Sequence, residues 1–313
     1  MAIITDTDRK RMGTMHPDMS AVGPIPAEVK ESDHQVPTRD GQWIRVRVYV
    51  PTKQASAPRP LIVMYHEGGW RMGDLTDEDL NCRMFARDLG AVCVNVEYRL
   101  APEHPFPTGV DDAYDTLLWS TKTASPTSVI LPADLEAGFV VGGSSAGGNF
   151  AAVMSQRAGD EGLNPPLTGQ HLSVPALLSR PAIPENWKDV CGSRAESKFD
   201  PVLKMKDRDE DHEKIEHLNV EPENPMYSPL LHENIGNLPP AFFQIAGLDP
   251  LRDEGLLYED ELRKKGVPTR LNVYDGFGHM FWSNWPTLRQ SQDFVSDTLA
   301  GMKWLLKTNV QPS

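Results

Sequence analysis

Short, almost continuously apolar runs recur along this chain, and longer amphipathic stretches separate them. Each run is bounded by turn residues, a pattern typical of strands that are buried on both faces of a parallel sheet. Four such runs lie at residues 61–65, 91–96, 138–141 and 241–246, and a last strand is predicted at 270–274. Residues 43–50 instead alternate apolar and charged side chains, which predicts a half-exposed antiparallel edge strand.

Amphipathic segments between and after these runs predict helices. They lie near residues 76–89, 108–122, 146–159, 252–265 and 287–307. Strands that alternate with helices are the signature of a layered α/β fold. Residues 180–238 interrupt this alternation, because they are rich in proline and contain a charged run at 204–214, which we interpret as a solvated face. We expect this segment to be an insertion that covers the carboxyl edge of the sheet.

Composition narrows the class of protein. The chain has 313 residues, of which 39% are hydrophobic and 24% charged, and its formal net charge is −13. An acidic surface argues against nucleic acid and anionic membranes as partners. The first ten residues contain no apolar run of signal-peptide length, no segment approaches the length of a membrane span, and the three cysteines lack metal-binding spacing. We therefore expect a cytoplasmic protein without a metal or cofactor.

The most informative motif lies where the strand at 138–141 is predicted to turn into a helix. Gly143, Ser145 and Gly147 match the pattern G-x-S-x-G, in which a sharp strand-to-helix turn exposes a nucleophilic serine. Ser144 lacks the second glycine at the required spacing, so Ser145 is the candidate nucleophile. The motif alone is weak, because a glycine-rich connection with a capping serine has the same pattern.

A serine nucleophile needs a base within hydrogen-bond reach and an acid that orients the base. Asp249 and His279 directly follow the strands predicted at 241–246 and 270–274, and they occur in the order Ser, Asp, His that such folds use. Asp253 is the alternative acid, but it is predicted to lie inside the following helix. Glycines also follow the strand at 61–65, and their backbone N–H groups can stabilise an oxyanion.

Taken together, these motifs resemble the hormone-sensitive lipase family of esterases, also called bacterial family IV, within the α/β-hydrolases. The matching segments are the loop at 66–69, Tyr-Arg-Leu-Ala-Pro-Glu at 98–103, the turn at 143–148 and Asp-Pro-Leu at 249–251. The resemblance covers about residues 40–305. It implies that Ser145 attacks, His279 transfers the proton and Asp249 orients the imidazole. It further implies an oxyanion hole formed by the N–H groups of Gly68, Gly69 and Ala146.

The resemblance also implies an architecture and an activity. The expected fold is an α/β-hydrolase fold, with a mostly parallel, eight-stranded twisted sheet flanked by helices and covered by a helical cap. The expected division is an N-terminal arm at 1–38 that forms part of the cap, a core at 39–179 and 239–313, and a cap insertion at 180–238. The implied activity is hydrolysis of small-molecule esters with short-to-medium acyl chains. The sequence leaves open whether the protein forms a homodimer. Some similar fungal members deacetylate polyketide intermediates.

Two positions depart from the family pattern. Glu67 replaces the first glycine of the oxyanion loop, and Ser144 replaces the usual acid of the turn. We expect the Glu67 carboxyl to point away from the oxyanion and to form a hydrogen bond with a neighbouring loop. Trp70, Ser144, Phe281 and Trp282 are candidates for lining the substrate pocket, although core packing explains the aromatic residues equally well.

Two alternatives keep the same scaffold. In the first, the protein is a lyase or an acyltransferase, as in the related isoflavanone dehydratases. In the second, it is a non-catalytic receptor for a small molecule, similar to the plant gibberellin receptors. Those receptors depart from the triad at the histidine, whereas His279 is present here.

Overall fold

A single eight-stranded sheet organises the chain, of which the computed structural model describes residues 25–197, 199–203 and 215–308. The strands are β1 (Val29–Pro37), β2 (Trp43–Pro51), β3 (Leu61–Tyr65), β4 (Val92–Glu97), β5 (Phe139–Ser144), β6 (Gly169–Ser173), β7 (Ala241–Ala246) and β8 (Thr269–Tyr274). Their order across the sheet is β1-β2-β4-β3-β5-β6-β7-β8. Only the β1–β2 and β2–β4 pairs are antiparallel, so the expected mostly parallel α/β-hydrolase sheet is confirmed.

Helices cover both faces of the sheet. They are α1 (Asp79–Leu89), α2 (Thr108–Thr123), α3 (Ala146–Asp160), α4 (Ser193–Glu196), α5 (Arg252–Lys264), α6 (Phe281–Asn284) and α7 (Arg289–Thr308). Alternate residues of a strand point to opposite faces. In β3, Leu61, Val63 and Tyr65 accordingly join the core beneath α2, α3 and α5, whereas Ile62 and Met64 join the core beneath α1 and α7.

The hydrophobic pattern did not predict two strands of the sheet, β1 and β6. Because β1 forms one edge of the sheet and β2 lies between β1 and β4, the prediction of an edge strand at 43–50 is corrected. The β1 sequence is mostly polar, and only its end positions Val29 and Val36 are buried. The β6 sequence, Gly-Gln-His-Leu-Ser, is buried throughout but contains one aliphatic residue.

The structure also bears on the expected division of the chain. β1 covers residues 29–37 of the expected arm at 1–38 and pairs with β2 in the sheet. Residues 1–24 of that arm lie outside the described residues, as does the charged run at 204–214, and the cap stays a prediction. The described part of the insertion contains only short helical turns such as α4. In the ranges that the structure describes, no helix has the length and apolar character needed to cross a bilayer.

Candidate active site

The candidate nucleophile lies on a sharp turn between β5 and α3. Ser145 has φ 55° and ψ −115°, a region that a residue with a Cβ adopts only at a cost of about 1–3 kcal/mol. Three backbone hydrogen bonds hold it there: Ser145 N–H donates to the Ser173 carbonyl at 2.9 Å, and the N–H groups of Asn149 and Ala176 donate to the Ser145 carbonyl at 3.0 and 3.2 Å. The surrounding backbone therefore enforces this conformation.

A close approach between two backbones explains the last glycine of the motif. A Cβ placed on Gly147 would overlap the carbonyl oxygen of Tyr65 and lie 2.8 Å from that of His66. Tyr65 ends β3, and the glycine loop begins at the next residue. The absence of a side chain at Gly147 therefore allows the serine turn to lie directly against the start of the oxyanion loop.

The structure brings Ser145, His279 and Asp249 into one hydrogen-bonded row. His279 Nε2 lies 3.0 Å from Ser145 Oγ, and His279 Nδ1 lies 2.7 Å from Asp249 Oδ2. An ionised carboxylate can only accept, so Nδ1 carries the proton and Nε2 is the acceptor for the serine hydroxyl. All three side chains are buried, and the second oxygen of Asp249 accepts from Leu251 N–H at 2.8 Å. The Asp249 carboxylate is therefore held in place at its end of the row.

Asp253, the alternative acid, makes other contacts. It lies in the first turn of α5, where it accepts from Ser193 N–H at 2.6 Å and from Arg252 Nε at 2.8 Å. Ser193 begins α4 in the insertion. Asp253 therefore ties the insertion to the core, and Asp249 is the acid that contacts the imidazole.

The glycine loop after β3 has an unusual backbone. Gly68, Gly69 and Trp70 all have positive φ, at 112°, 60° and 62°. His66 stacks on Tyr98 with ring centroids 4.0 Å apart, and the Tyr98 hydroxyl donates to the His66 carbonyl at 2.9 Å. These contacts fix the start of the loop against the core.

Three backbone amides are candidates for oxyanion binding. Within residues 25–197, 199–203 and 215–308, the N–H groups of Gly68, Gly69 and Ala146 donate no backbone hydrogen bond. Ala146 is buried, and a buried backbone donor is rarely left unpaired in a folded protein. Amides without a protein acceptor are suited to a ligand oxygen.

The Glu67 carboxyl is buried beside the segment that precedes α1. Its hydrogen bond to a neighbouring loop stays a prediction. Burial raises its pKa well above the ordinary value, and the nearby carboxyl groups of Asp77 and Glu78 add to this effect. The raised pKa favours the uncharged form of Glu67, which weakens its opposition to an anion at the loop.

The candidate pocket residues have different surroundings. Phe281 is 1% exposed and packs against Tyr274, Phe277 and Phe294, so its side chain belongs to the core rather than to a ligand surface. Trp282 stacks on Phe294 with centroids 3.7 Å apart.

The other two candidates lie next to the candidate oxyanion loop and the candidate nucleophile. Trp70 is half-buried and packs against Tyr227 of the insertion, with ring centroids 5.0 Å apart. Ser144 is buried at the end of β5, directly before Ser145. A pocket role for Trp70, Trp282 and Ser144 stays a prediction.

One contact to the triad was missed by sequence reasoning. The carboxylate of Asp200, in the insertion, accepts a hydrogen bond from His279 N–H at 2.8 Å. Asp200 lies 79 positions before His279 and belongs to no motif. No local pattern could have identified it.

Comparison with known proteins gives a consistent result. A family model described as alpha/beta hydrolase fold matches residues 62–283. The chain is 39% identical over 284 residues to AB hydrolase superfamily protein B1A11.02 of Schizosaccharomyces pombe, covering 90% of this chain and 82% of that protein. It is 31% identical to versiconal hemiacetal acetate esterase of Dothistroma septosporum, covering 85% and 79%.

Solved structures agree with this result. Vibralactone cyclase superimposes with a TM-score of 0.85 at 33% identity, covering 96% of this chain and 87% of that one. The hyperthermophilic esterase from Pyrobaculum calidifontis superimposes with a TM-score of 0.80 at 33% identity, covering 96% and 93%.

Proposed function

The chain belongs to the α/β-hydrolase fold family, in its hormone-sensitive-lipase-like branch, and on that premise we propose that it is a serine carboxylesterase whose nucleophile is Ser145. The observation that carries the proposal is the hydrogen-bonded row of Ser145, His279 and Asp249. The row follows the ends of β5, β7 and β8, and the serine turn lies against the start of the glycine loop through Gly147.

The geometry supports a two-step reaction. Ser145 Oγ attacks the ester carbonyl carbon while its proton passes to His279 Nε2, and the carbonyl electron pair moves to the oxygen. Collapse of this intermediate breaks the bond to the alcohol, which leaves with the proton from His279. Water then attacks the acyl-enzyme by the same route and releases the acid. Asp249 stays ionised and stabilises the imidazolium.

The oxyanion is assigned to the amides of Gly68, Gly69 and Ala146. Loss of one such donor costs about 3–4 kcal/mol of transition-state stabilisation in comparable sites. The raised pKa of Glu67 supports this assignment, because burial favours the uncharged carboxyl and a carboxylate at that position would oppose the developing charge.

The substrate class follows from charge and from the relatives. A net charge of −13 disfavours anionic substrates, so neutral esters of short-to-medium acyl chains are proposed. The similarity to versiconal hemiacetal acetate esterase supports an acetate ester of a secondary metabolite as one such substrate. This step rests on analogy between relatives rather than on a contact in the site.

Acyl transfer is the second candidate, because one similar structure is that of a cyclase. An acyl-enzyme that is attacked by a hydroxyl group instead of water forms a new ester rather than an acid. Product analysis with and without an added alcohol distinguishes the two reactions.

Labelling by a serine-directed phosphonate tests the nucleophile. We expect one adduct on the wild-type protein, mapped to Ser145 by peptide mass, together with loss of p-nitrophenyl acetate hydrolysis. Ser145→Ala should lose both the adduct and the activity, whereas Ser144→Ala should keep the adduct. Hydrolysis that survives in Ser145→Ala would remove Ser145 as the nucleophile.

A series of p-nitrophenyl esters tests the substrate class. We expect kcat/KM to fall steeply from short to long acyl chains. A value that rises with chain length would contradict the assignment to short-to-medium esters.

A further inference from the structure

An acid of the insertion contacts the backbone of the candidate catalytic histidine. Asp200 is 6% exposed, and its Oδ2 accepts from His279 N–H at 2.8 Å. Its Oδ1 accepts from the N–H groups of Val202 and Leu203 at 2.9 and 2.8 Å. The carboxylate is therefore held by its own segment on one side and holds the histidine loop on the other.

The residue before His279 is adapted to this contact. Gly278 does not have a positive φ, so its backbone conformation does not require glycine. A Cβ on Gly278 would nevertheless overlap Asp200 Oδ2, and the next atoms that it would meet are Asp200 Cγ and Pro201 Cδ. The close approach of Asp200 alone therefore explains the glycine at position 278.

The insertion also packs on the other side of the histidine. Val202 contacts the apolar cluster that contains Met280 and Phe281, the residues that follow His279. His279 itself lies in a loop between β8 and α6, without ladder hydrogen bonds of its own. The backbone N–H of His279 itself is held by Asp200, while Leu248 N–H donates to the Phe277 carbonyl two residues earlier at 2.8 Å.

We propose that Asp200 is a positioning residue that sets the orientation of the His279 imidazole through the backbone, which makes the insertion part of the catalytic apparatus. The inference rests on the proposed function, because it assigns His279 the role of base. Loss of Asp200 frees the loop, so the Nε2 to Oγ distance is no longer held at 3.0 Å. Such a change impairs proton transfer more than substrate binding.

The first experiment measures kcat and KM separately for Asp200→Ala. We expect kcat on p-nitrophenyl acetate to fall about 10- to 100-fold, because small misplacements of a catalytic group have effects of that size, while KM changes less than about three-fold. Asp200→Asn keeps one carbonyl acceptor and should retain more activity than Asp200→Ala. A KM rise without a kcat fall would overturn the proposal.

Glu196→Ala is the matched control. Glu196 is an acid of the same insertion that contacts the core through Arg252 at 2.8 Å but does not contact the histidine loop. We expect its kcat to stay within about two-fold of wild type, since exposed ion pairs contribute little. An equal loss in both variants would indicate general loosening of the insertion and would overturn the proposal.

A double-mutant cycle with Gly278→Ala provides the sharper test. Gly278→Ala alone should lower kcat at least about ten-fold, because the new Cβ displaces Asp200. In the Asp200→Ala background the same substitution should change kcat less than about two-fold, since its clash partner is gone and contacting residues are not additive. Independent, multiplicative effects would contradict the inference.

The outcomes separate this inference from the proposed function. Failure of the wild-type protein to hydrolyse esters or to form the phosphonate adduct would contradict both the proposed function and the positioning role of Asp200. Normal wild-type activity with additive Asp200 and Gly278 effects would contradict the positioning role alone. If Asp200→Ala fails to fold, Asp200→Asn and Gly278→Ala carry the test, with thermal unfolding measured for each variant.

Discussion

Two aspartates four positions apart differ in role because they differ in partners. Asp249 contacts the imidazole of His279, whereas Asp253 contacts Ser193 and Arg252. Position in the sequence already favours Asp249, because Asp249 lies in the loop after β7, whereas Asp253 lies in the first turn of α5.

Substitution of the two acids tests this division. Asp249→Asn should lower kcat by about 10³- to 10⁴-fold, since the amide favours the wrong imidazole tautomer. Because the Asp253 side chain contacts Ser193 and Arg252 rather than the imidazole, Asp253→Asn should leave kcat within about three-fold of wild type. Steady-state kinetics on p-nitrophenyl acetate measures both, and a larger loss in Asp253→Asn would reverse the assignment.

The raised pKa of Glu67 predicts a small effect of its removal. Because burial favours the uncharged form of this carboxyl, Glu67→Gly removes little charge from the proposed oxyanion loop. We expect kcat to increase no more than about three-fold, the range of a substitution that leaves charge unchanged. A many-fold rise would mean that Glu67 opposes the transition state as an anion.

The segment that leads into α1 contains a second buried acid. Glu78 is 0% exposed, its Oε2 accepts from Asn81 Nδ2 at 2.8 Å, and its Oε1 has no partner among the described residues. Burial raises the pKa of Glu78 to about 8 from an ordinary value of 4.5. The folded protein therefore keeps the Glu78 carboxyl protonated over a pH range in which the unfolded chain loses this proton.

The proton bound to Glu78 makes the stability of the protein depend on pH. Between pH 4.5 and about 8 the unfolded state binds fewer protons at this position than the folded state, so the contribution of Glu78 to stability falls as pH rises. Glu78→Gln removes this pH dependence. Between pH 5 and 8 we expect its free energy of unfolding to rise by about 1–3 kcal/mol relative to that of the wild type. Urea unfolding at both pH values measures the difference. Glu185→Gln, at an exposed site, is the control and should show no pH-dependent gain.

At the scale of the whole molecule, a buried ion pair joins the insertion to the core. Arg194 in α4 contacts Glu254 in α5 at 2.8 Å, and both side chains are nearly buried. Glu254 also accepts from the N–H groups of Leu177 and Leu178. The pair therefore connects the insertion to the segment that follows β6.

Breaking this pair should destabilise the protein. Arg194→Ala leaves Glu254 buried without its cation, and we expect a loss of about 2–4 kcal/mol in the free energy of unfolding, moderated because the carboxyl can take up a proton. Lys188→Ala removes an exposed pair with Glu185 and should cost less than about 0.5 kcal/mol. Equal losses in the two variants would contradict the docking role of Arg194.

The sequence alone determined the apolar strands β3, β4, β5 and β7, the helices between them, and the α/β-hydrolase family. These features are encoded locally, because a continuous apolar run predicts a buried strand and a serine turn requires glycine at fixed spacing. The row of Ser145, Asp249 and His279 was also predictable, since each residue directly follows a predicted strand.

Only the tertiary structure decided the polar strands β1 and β6, the core position of Phe281, the raised pKa of Glu67 and the contact of Asp200 with His279. Each depends on neighbours that are not adjacent in the chain: β1 and β6 acquire their hydrogen bonds from adjacent strands, and Glu67 acquires its raised pKa from burial beside Asp77 and Glu78. Asp200 and His279 are 79 positions apart and meet only in the folded chain. Packing between distant segments leaves no period or spacing in the sequence, so these features emerge only when the chain is folded.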